Sequence, residues 1–314
     1  MNEPIDIVVT YLNSRDKKWN EDFNYYKNLE LGLDIQKETN KQAFGEERTR
    51  EWDFFKYWFR GVEKNCPWVN KVFLIVQNEN HIPEWLDTNN PKLRVVFHED
   101  YIPSELLPTF NTMTIELYIN RIKDLSNNYI ICNDDFFFLN KIDKNRFFEH
   151  NKAKHEENTM PYEYFREDLG DFYQMLNNNM DLEKKYGAKV KYNIYHLPTA
   201  RKKDFEQKIM EENYDLILNA QKTSKFRNKS NYCACLYEDL LRICHEAIID
   251  RVYYNCRYVT LKSSVDFDTC KDYDMVCFND TEQLDDYEAT KDKMLEFLDK
   301  KFPKRCSYER WILC

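Results

Sequence analysis

Two adjacent carboxylates stand at the end of an apolar stretch of this 314-residue chain. Residues 129–132 predict a buried strand, Asp134 and Asp135 follow it closely, and three phenylalanines come next. A carboxylate among apolar side chains must be paired or hold a cation, because burying an isolated charge is costly. Hard divalent cations take oxygen ligands, and α/β sheets place ligands at strand ends. A metal or catalytic role is therefore favoured, with a solvated turn as the alternative.

Residues elsewhere in the chain could take part in the same chemistry. The apolar run at 274–278 also ends in Asn-Asp, where Asp280 could bind a metal or cap the following helix, with Thr281 as an equal candidate for the cap. His196 precedes Leu-Pro, and Arg227 ends a basic segment. Taken alone, a histidine and an arginine of this kind are more often solvated than catalytic, so these two depend on their wider context.

The elements around these residues alternate between strand and helix patterns. Apolar, β-branched runs are typical of buried parallel strands. They lie at 5–12, 71–77, 93–98 and 129–132. Helical patterns lie between them at 48–65, where aromatic residues recur at spacings of three and four, and at about 111–125. This alternation predicts a Rossmann-like, or glycosyltransferase-A-like, α/β fold with a mostly parallel sheet and helices on both faces.

The composition changes after Phe148. Residues 151–191 are polar and rich in asparagine, and we predict a helical lid or insertion there. Further helices are predicted at 204–220, 231–251 and 281–301, and further strands at 253–261 and 274–278. We expect one catalytic domain over 1–314, made of a first half at 1–150, the insertion, and a second half at 192–314 that completes the active site.

Charge and cysteine content exclude some classes of function. The net charge of −9 argues against a general nucleic-acid-binding protein. No apolar run of about 18 residues predicts a transmembrane helix, and without a basic leader a signal peptide is not expected. The 10 cysteines include no Cys-X-X-Cys pair. We expect free thiols in a reducing cytoplasm, with disulfides in the second half as the alternative.

Four sequence blocks, in this order, resemble the Stealth family of sugar-phosphate transferases of bacterial capsule synthesis. The first block is IDIVVTYLNSRD at 5–16, and the second runs from FFKYWFRGVEKNCPWVNKVFLIV at 54–76 to YIICNDDFFF at 129–138. The third runs from His-Leu-Pro at 196–198 to KTSKFR at 222–227, and the fourth begins with VCFNDTEQ at 276–283. Together the blocks span nearly the whole chain.

The resemblance implies a phosphotransferase. It would move a sugar-1-phosphate, such as N-acetylhexosamine-1-phosphate, from a nucleotide sugar such as UDP-GlcNAc to a hydroxyl of an oligosaccharide or polysaccharide. Nucleoside monophosphate would leave, and Mg²⁺ or Mn²⁺ would assist. By resemblance, His196 is the general base, Arg227 stabilises the phosphate, and Asp135 is catalytic. The expected metal ligands are Asp134, Asp135 and Asp280.

The first half would bind the nucleotide sugar. The expected donor contacts are Asp6, Thr10, Asn13, Arg60 and Asn133. Two of these also have structural interpretations, because Asp6 could cap a turn or pair with an arginine, and Arg60 could form an ion pair on its aromatic helix. We expect a cytoplasmic protein whose acceptor is a capsule chain at the inner face of the membrane, with membrane contact that is at most peripheral.

Two other functions remain open at this point. A strand-end acidic pair could hold a diphosphate through a metal, as in a metal-dependent glycosyltransferase that releases nucleoside diphosphate. The first block carries Tyr11 to Ser14 where the family usually has a Trp-Val-Asp/Asn-Gly turn. This departure motivates the third function, a non-catalytic carbohydrate-binding module.

Overall fold

A computed structural model describes residues 3–33, 44–193, 196–250 and 255–310. The strands in this part of the chain are β1 (Ile5–Thr10), β2 (Val72–Val76), β3 (Leu93–Phe97), β4 (Asn128–Asn133), β5 (Phe136–Phe138), β6 (Phe148–Glu149), β7 (Lys152–Glu156), β8 (Thr159–Met160), β9 (Lys191–Tyr192), β10 (Thr199–Lys202), β11 (Ala247–Asp250), β12 (Cys256–Thr260) and β13 (Met275–Asn279). The central sheet has the order β10-β4-β1-β2-β3. Its strands are parallel except β10, which is antiparallel to β4. The predicted mostly parallel α/β sheet is therefore confirmed.

The α-helices are α1 (Lys17–Leu33), α2 (Phe55–Asn65), α3 (Thr112–Leu117), α4 (Asp171–Lys185), α5 (Lys203–Gln221), α6 (Leu236–Ile243) and α7 (Tyr287–Lys301). Short 3-10 turns lie at Glu46–Arg48, Glu79–His81, His98–Asp100, Ser104–Leu106, Ile119–Arg121, Lys144–Arg146, Glu167–Leu169 and Phe267–Cys270. Among the described residues, no helix has both the length and the apolarity that crossing a membrane requires.

Two predicted helices are shorter in the structure, for identifiable reasons. The helix predicted at 111–125 ends as α3 because the Leu117 carbonyl accepts hydrogen bonds from the side chains of Asn120 and Tyr237, both at 3.0 Å. Of the helix predicted at 231–251, only α6 (Leu236–Ile243) is helical. After it, His245 adopts a left-handed φ of 59° that turns the chain into β11.

The helix predicted at 281–301 also begins late. Its start is set at Tyr287 because the side chain of Asp286 caps it by accepting from the Ala289 amide. The alternative in which Asp280 or Thr281 caps this helix is therefore wrong. The strand predicted at 253–261 is present as β12, and residues 251–254 of the predicted elements lie outside the described residues.

A second, three-stranded sheet meets the central sheet at the end of β4. Its order is β12-β13-β5, with β5 antiparallel and β12 parallel to β13. The chain passes from β4 to β5 through Asp134 and Asp135, so the acidic turn joins the two sheets. Helix α2 packs on β5 so closely that a Cβ on Gly61 would lie 2.9 Å from the Phe138 carbonyl oxygen. This packing fixes the phenylalanine segment, and with it the acidic turn.

Asp6 lies at the wrong end of β1 for a donor site. It is fully buried at the start of the strand, about 13 Å from the Thr10 end at the usual rise per residue. One carboxylate oxygen accepts from the Asn70 side chain at 2.8 Å and the Lys71 amide at 3.1 Å. The other accepts from the Ser126 amide at 2.8 Å. We therefore correct the expected donor contact of Asp6 to a structural role.

Arg60 is likewise used by the fold. Its guanidinium donates to both carboxylate oxygens of Glu309, at 2.7 and 2.8 Å, and to the Phe302 carbonyl at 2.8 Å. Both partners of the ion pair are buried. Arg60 thus ties α2 to the C-terminal segment, and the structural interpretation replaces the expected donor contact.

The role of Asp6 can be tested with two substitutions. Asp6→Ala leaves three donors without their acceptor and should lower the free energy of unfolding by about 3 kcal/mol in urea denaturation. Asp6→Asn should cost less, because its amide oxygen still accepts. The Michaelis constant for the donor should stay unchanged in both folded variants. Unchanged stability with a raised donor Michaelis constant would return Asp6 to the donor site.

Candidate active site

A cavity of about 670 Å³ opens at the carboxyl ends of β1 and β4. These strands are neighbours, with Thr10 opposite Asn133, and they mark the point where the strand order reverses, since β2 and β3 lie beyond β1 on the other side. Open α/β sheets bind ligands at such switch points. The predicted site residues that line the cavity are Thr10, Asn133, Asp134, Asp135, His196, Arg227 and Asp280. Residues from all four sequence blocks therefore meet in one place.

A backbone hydrogen bond holds the Asp134–Asp135 turn in place, and burial makes ionisation of the Asp134 carboxyl unfavourable. The Asp135 carbonyl accepts from the Phe278 amide at 2.9 Å, which fixes the turn against β13. Burial raises the pKa of Asp134 to about 8, and the nearby carboxylates of Asp135 and Glu51 add to the shift. Among the described residues, the buried Oδ1 of Asp135 has no hydrogen-bond partner. Both observations point to a place for positive charge.

His196 lies directly beside Asp135. Its Nε2 is 3.6 Å from Asp135 Oδ2, a charge contact longer than a normal hydrogen bond. Burial alone would lower the pKa of His196, but the Asp135 carboxylate, helped by Glu116, raises it above its ordinary value. The side chain is 44% exposed, so it can meet a ligand from solvent. A carboxylate-supported imidazole of this kind can act as a general base.

Two arginines face the same cavity. Arg227 donates to the Thr112 hydroxyl at 3.2 Å, and Arg48 comes from the 3-10 turn at Glu46–Arg48. Burial lowers the pKa of Arg227, while Glu116 opposes this shift. Burial also lowers the pKa of Arg48 to about 10, and the charge of Arg227 lowers it further. Two guanidinium groups that repel each other across a cavity favour a bound anion, and their planar forks match phosphate oxygens.

Asp280 reaches the cavity with both carboxylate oxygens engaged. Oδ1 accepts from Arg50 at 2.7 Å, and Oδ2 accepts from the Trp52 indole at 3.2 Å. Burial raises the pKa of Asp280, with Arg50 opposing the shift. These contacts anchor the segment before α2 to the end of β13. With both oxygens engaged in this way, Asp280 fits a structural role in the cavity wall better than the predicted role of a metal ligand.

Asn13 braces a loop next to the cavity. Its side chain donates to the Asn80 carbonyl at 3.0 Å and accepts from the Arg15 amide at 3.1 Å. The loop after β1 is thereby pinned to the loop after β2. The structure thus brings Thr10 and Asn133 to the cavity, but directs the Asn13 side chain to its neighbours.

Sequence reasoning missed several carboxylates that line the cavity, among them Glu51, Glu116 and Glu238. Burial raises the pKa of each of them, that of Glu238 to about 7. Glu116 lies on α3, close enough to act electrostatically on both His196 and Arg227. Its only signal was its place in the long second block, because one glutamate on a predicted helix is normally a solvated residue.

The contact between Asp135 and His196 predicts a measurable shift. In the metal-free chain the carboxylate favours the imidazolium, so His196 stays protonated to a higher pH than it would alone. Asp135→Asn removes that charge and should lower the pKa of His196, because burial then acts unopposed by its main partner. Histidine ¹⁵N NMR titrations can follow this, with His196→Gln to assign the signal.

The matched control is Asp124→Asn, which changes an aspartate that is 58% exposed. It should leave the His196 titration unchanged. Equal His196 pKa values in the wild type and Asp135→Asn would mean that the two side chains do not interact in solution.

Comparisons with known proteins are consistent with this geometry. The family described as Stealth protein CR2, conserved region 2, matches residues 48–156. The chain is similar to capsular polysaccharide phosphotransferase WcwK of Streptococcus pneumoniae, with 32% identity over 98% of each chain. It is also similar to receptor polysaccharide phosphotransferase WefC of Streptococcus gordonii, with 28% identity over 98% of this chain and 100% of the relative. The matched region 48–156 contains Glu116, Asp134 and Asp135.

Proposed function

The chain belongs to the Stealth family of polysaccharide phosphotransferases, and from that premise we propose that it transfers N-acetylhexosamine-1-phosphate from a UDP-linked sugar to a saccharide hydroxyl. The observation that carries this proposal is the meeting of His196, Asp135 and two arginines around one cavity at the switch point of the sheet. The product would be a phosphodiester within a capsule or cell-surface polysaccharide, and the nucleotide would leave as nucleoside monophosphate.

The donor fits the cavity with its diphosphate toward Arg48 and Arg227. Phosphoryl transfer is catalysed mainly by positioning and by neutralising charge on the phosphate oxygens. Two guanidinium groups in a half-buried site supply fixed positive charge for that purpose. Thr10 and Asn133, at the ends of β1 and β4, lie at the same edge and would contact the nucleotide sugar.

His196 would start the reaction by removing a proton. With Nε2 directed to Asp135, the Nδ1 atom is left to accept the proton of the acceptor hydroxyl. The acceptor oxygen then bonds to the phosphorus that carries the sugar. The bond from that phosphorus to the bridging oxygen breaks, and the nucleoside monophosphate leaves with the electron pair. Asp135 stabilises the imidazolium that forms.

Asp134 and Asp135 suit a hard divalent cation, and Asp280 does not. Asp135 offers a buried oxygen without a hydrogen-bond partner among the described residues, and the Asp134 carboxyl needs nearby positive charge to ionise at neutral pH. Both oxygens of Asp280 are already engaged by Arg50 and Trp52. When bound, Mg²⁺ or Mn²⁺ would neutralise charge on the diphosphate. We therefore propose Asp134 and Asp135 as its protein ligands and withdraw Asp280.

The acceptor would enter from the exposed side of His196. There the Tyr258 ring lies 6.0 Å from the imidazole, centre to centre, and Tyr258 is 54% exposed. An exposed aromatic ring beside the base offers an apolar platform to a sugar. We propose that a growing capsule chain binds here, with the protein working at the cytoplasmic face of the membrane through peripheral contact.

Identification of the products tests the proposed function. The protein is incubated with Mg²⁺, UDP-, CDP- and GDP-sugars and capsule oligosaccharides, and the products are analysed by mass spectrometry. Nucleoside monophosphate and a phosphodiester product are expected with the wild type. His196→Ala and Asp135→Asn should abolish both products. The controls His150→Ala and Asp124→Asn change exposed residues and should keep activity.

Other products would contradict the proposal. Nucleoside diphosphate with a simple glycoside would make the protein a glycosyltransferase. Binding of nucleotide sugar without turnover, over a broad acceptor panel, would favour a carbohydrate-binding module.

Arg227 should act on the reaction rather than on the fold. Arg227→Ala should lower kcat/KM for the donor by about 10²–10³-fold, as when one preorganised donor to a developing charge is removed. Added guanidinium ion should restore part of the rate, and Arg227→Lys should be intermediate because it lacks the planar fork. The control Arg94→Ala changes an arginine that is 57% exposed. A lower unfolding midpoint with normal kcat/KM would assign Arg227 to the fold instead.

A further inference from the structure

We propose that Asp135, His196 and Cys277 form a binding site for Zn²⁺, and that Zn²⁺ bound there blocks the active site. Asp135 Oδ2 lies 3.6 Å from His196 Nε2 and 3.4 Å from Cys277 Sγ. The three ligand atoms all lie within 4.8 Å of one another. The site combines one oxygen, one nitrogen and one sulfur donor.

The separations of these donors fit a tetrahedral ion. Zn²⁺ binds oxygen and nitrogen at about 2.0–2.1 Å and sulfur at about 2.3 Å, so neighbouring ligands of a tetrahedral site lie roughly 3.3–3.6 Å apart. Both separations measured from Asp135 fall at this spacing, before any movement of the chain. The third separation, between the His196 nitrogen and the Cys277 sulfur, is at most 4.8 Å, and a movement of the half-exposed imidazole would have to bring it to this spacing.

The donor types select against the ion that the reaction would use. Mg²⁺ takes oxygen ligands in near-octahedral geometry, whereas a thiolate and an imidazole favour Zn²⁺. Cys277 is the residue that makes this difference, because it adds sulfur to a site where Asp134 and Asp135 alone would offer only oxygen. The proposed site therefore shares Asp135 with the proposed Mg²⁺ site but takes a different ion.

The fold holds two donors in place and leaves the third accessible. Cys277 is fully buried in β13, paired with Tyr258 of β12 on one side and Phe136 of β5 on the other. Asp135 is held against the next residue of β13, because its carbonyl accepts from the Phe278 amide. The His196 side chain is 44% exposed and the Asp135 side chain 20%, so an ion can reach them from solvent.

Zn²⁺ in this position would stop transfer in two ways. It would bind His196 Nε2, so the neutral ring would carry its proton on Nδ1 and that atom could no longer accept the acceptor proton. It would also withdraw Asp135 from Mg²⁺. Cysteine binds Zn²⁺ as the thiolate, so occupation of the site releases the thiol proton of Cys277. Inhibition rests on the proposed function, whereas ion binding does not.

Cobalt titration tests the binding step directly. Co²⁺ replaces Zn²⁺ in tetrahedral sites and gives a thiolate-to-metal band in the near ultraviolet together with visible bands. The chelator-treated wild type should develop these bands with CoCl₂, and ZnCl₂ should remove them. Cys277→Ser should lose the thiolate band, and His196→Gln should weaken Co²⁺ binding by at least ~10-fold.

Two control variants separate this thiol from others. Cys270→Ser changes a buried cysteine of another segment and should retain the bands. Cys235→Ser should also retain them, although Cys235 and Cys233 form a close pair in the cavity wall. A thiolate band that persists in Cys277→Ser, or is lost in Cys235→Ser, would place the ion elsewhere and overturn the proposal, as would the absence of any band in the wild type.

Inhibition is then measured at fixed Mg²⁺, with each variant normalised to its own zinc-free rate. Cys277→Ser should need at least ~10-fold more Zn²⁺ for half inhibition than the wild type or Cys270→Ser. Equal sensitivity of the three proteins would overturn the inhibitory role. Cobalt bands in a wild type that transfers no sugar phosphate would uphold the metal site and reject the proposed function.

Discussion

The partial burial of two neighbouring carboxylates at the end of β4 is the constraint on which this structure depends. Asp134 and Asp135 follow a strand that is buried up to its last residue and precede a buried aromatic strand, so water cannot solvate them fully. The rise of the Asp134 pKa to about 8 expresses that constraint. The turn stays in place because Phe278 binds the Asp135 carbonyl and because α2 packs tightly on β5. The fold thus holds two carboxylates in a place where a bound cation would stabilise their ionised forms.

The rest of the cavity is divided by charge. Arg48 and Arg227 provide positive charge, while half-buried carboxylates, including Glu116 and Glu238, line the same cavity. Neither a simple anion nor a simple cation would satisfy such a site. A metal-bound diphosphate carries both signs, since its oxygens suit the arginines and its cation suits the carboxylates. This match links the electrostatics of the cavity to the proposed nucleotide-sugar donor.

The sequence allowed the sheet and the strand-end carboxylates to be predicted because both depend on local patterns. An apolar run followed by Asn-Asp-Asp indicates a strand and the point where it ends. The same few residues also show that two carboxylates lie next to apolar side chains. Thr10 and Asn133 lie at one edge because β1 and β4 are parallel neighbours, as the strand patterns predicted.

The failures came from contacts between distant parts of the chain. Arg60 is paired with Glu309, 249 residues away, and no local pattern shows such a partner. Asp6, like Asp135, is a carboxylate next to apolar strand residues. It lies at the end of β1 that is away from the cavity, where side-chain and backbone N–H groups donate hydrogen bonds to its carboxylate. The helix predicted at 111–125 was cut short by a bond from Tyr237 to the Leu117 carbonyl. Glu116 could not be identified because only the folded chain places it near His196 and Arg227.

The central claim is that the half-buried pair Asp134–Asp135 receives a divalent cation. Isothermal titration of the metal-free protein with MgCl₂ at pH 7, in two buffers of different ionisation enthalpy, tests it most directly. A carboxyl with a pKa of about 8 is mostly protonated at pH 7, so Mg²⁺ binding should release close to one proton. Asp134→Asn should bind Mg²⁺ more weakly and release far less. No Mg²⁺ binding by the wild type, or equal binding and equal proton release by Asp134→Asn, would contradict the claim.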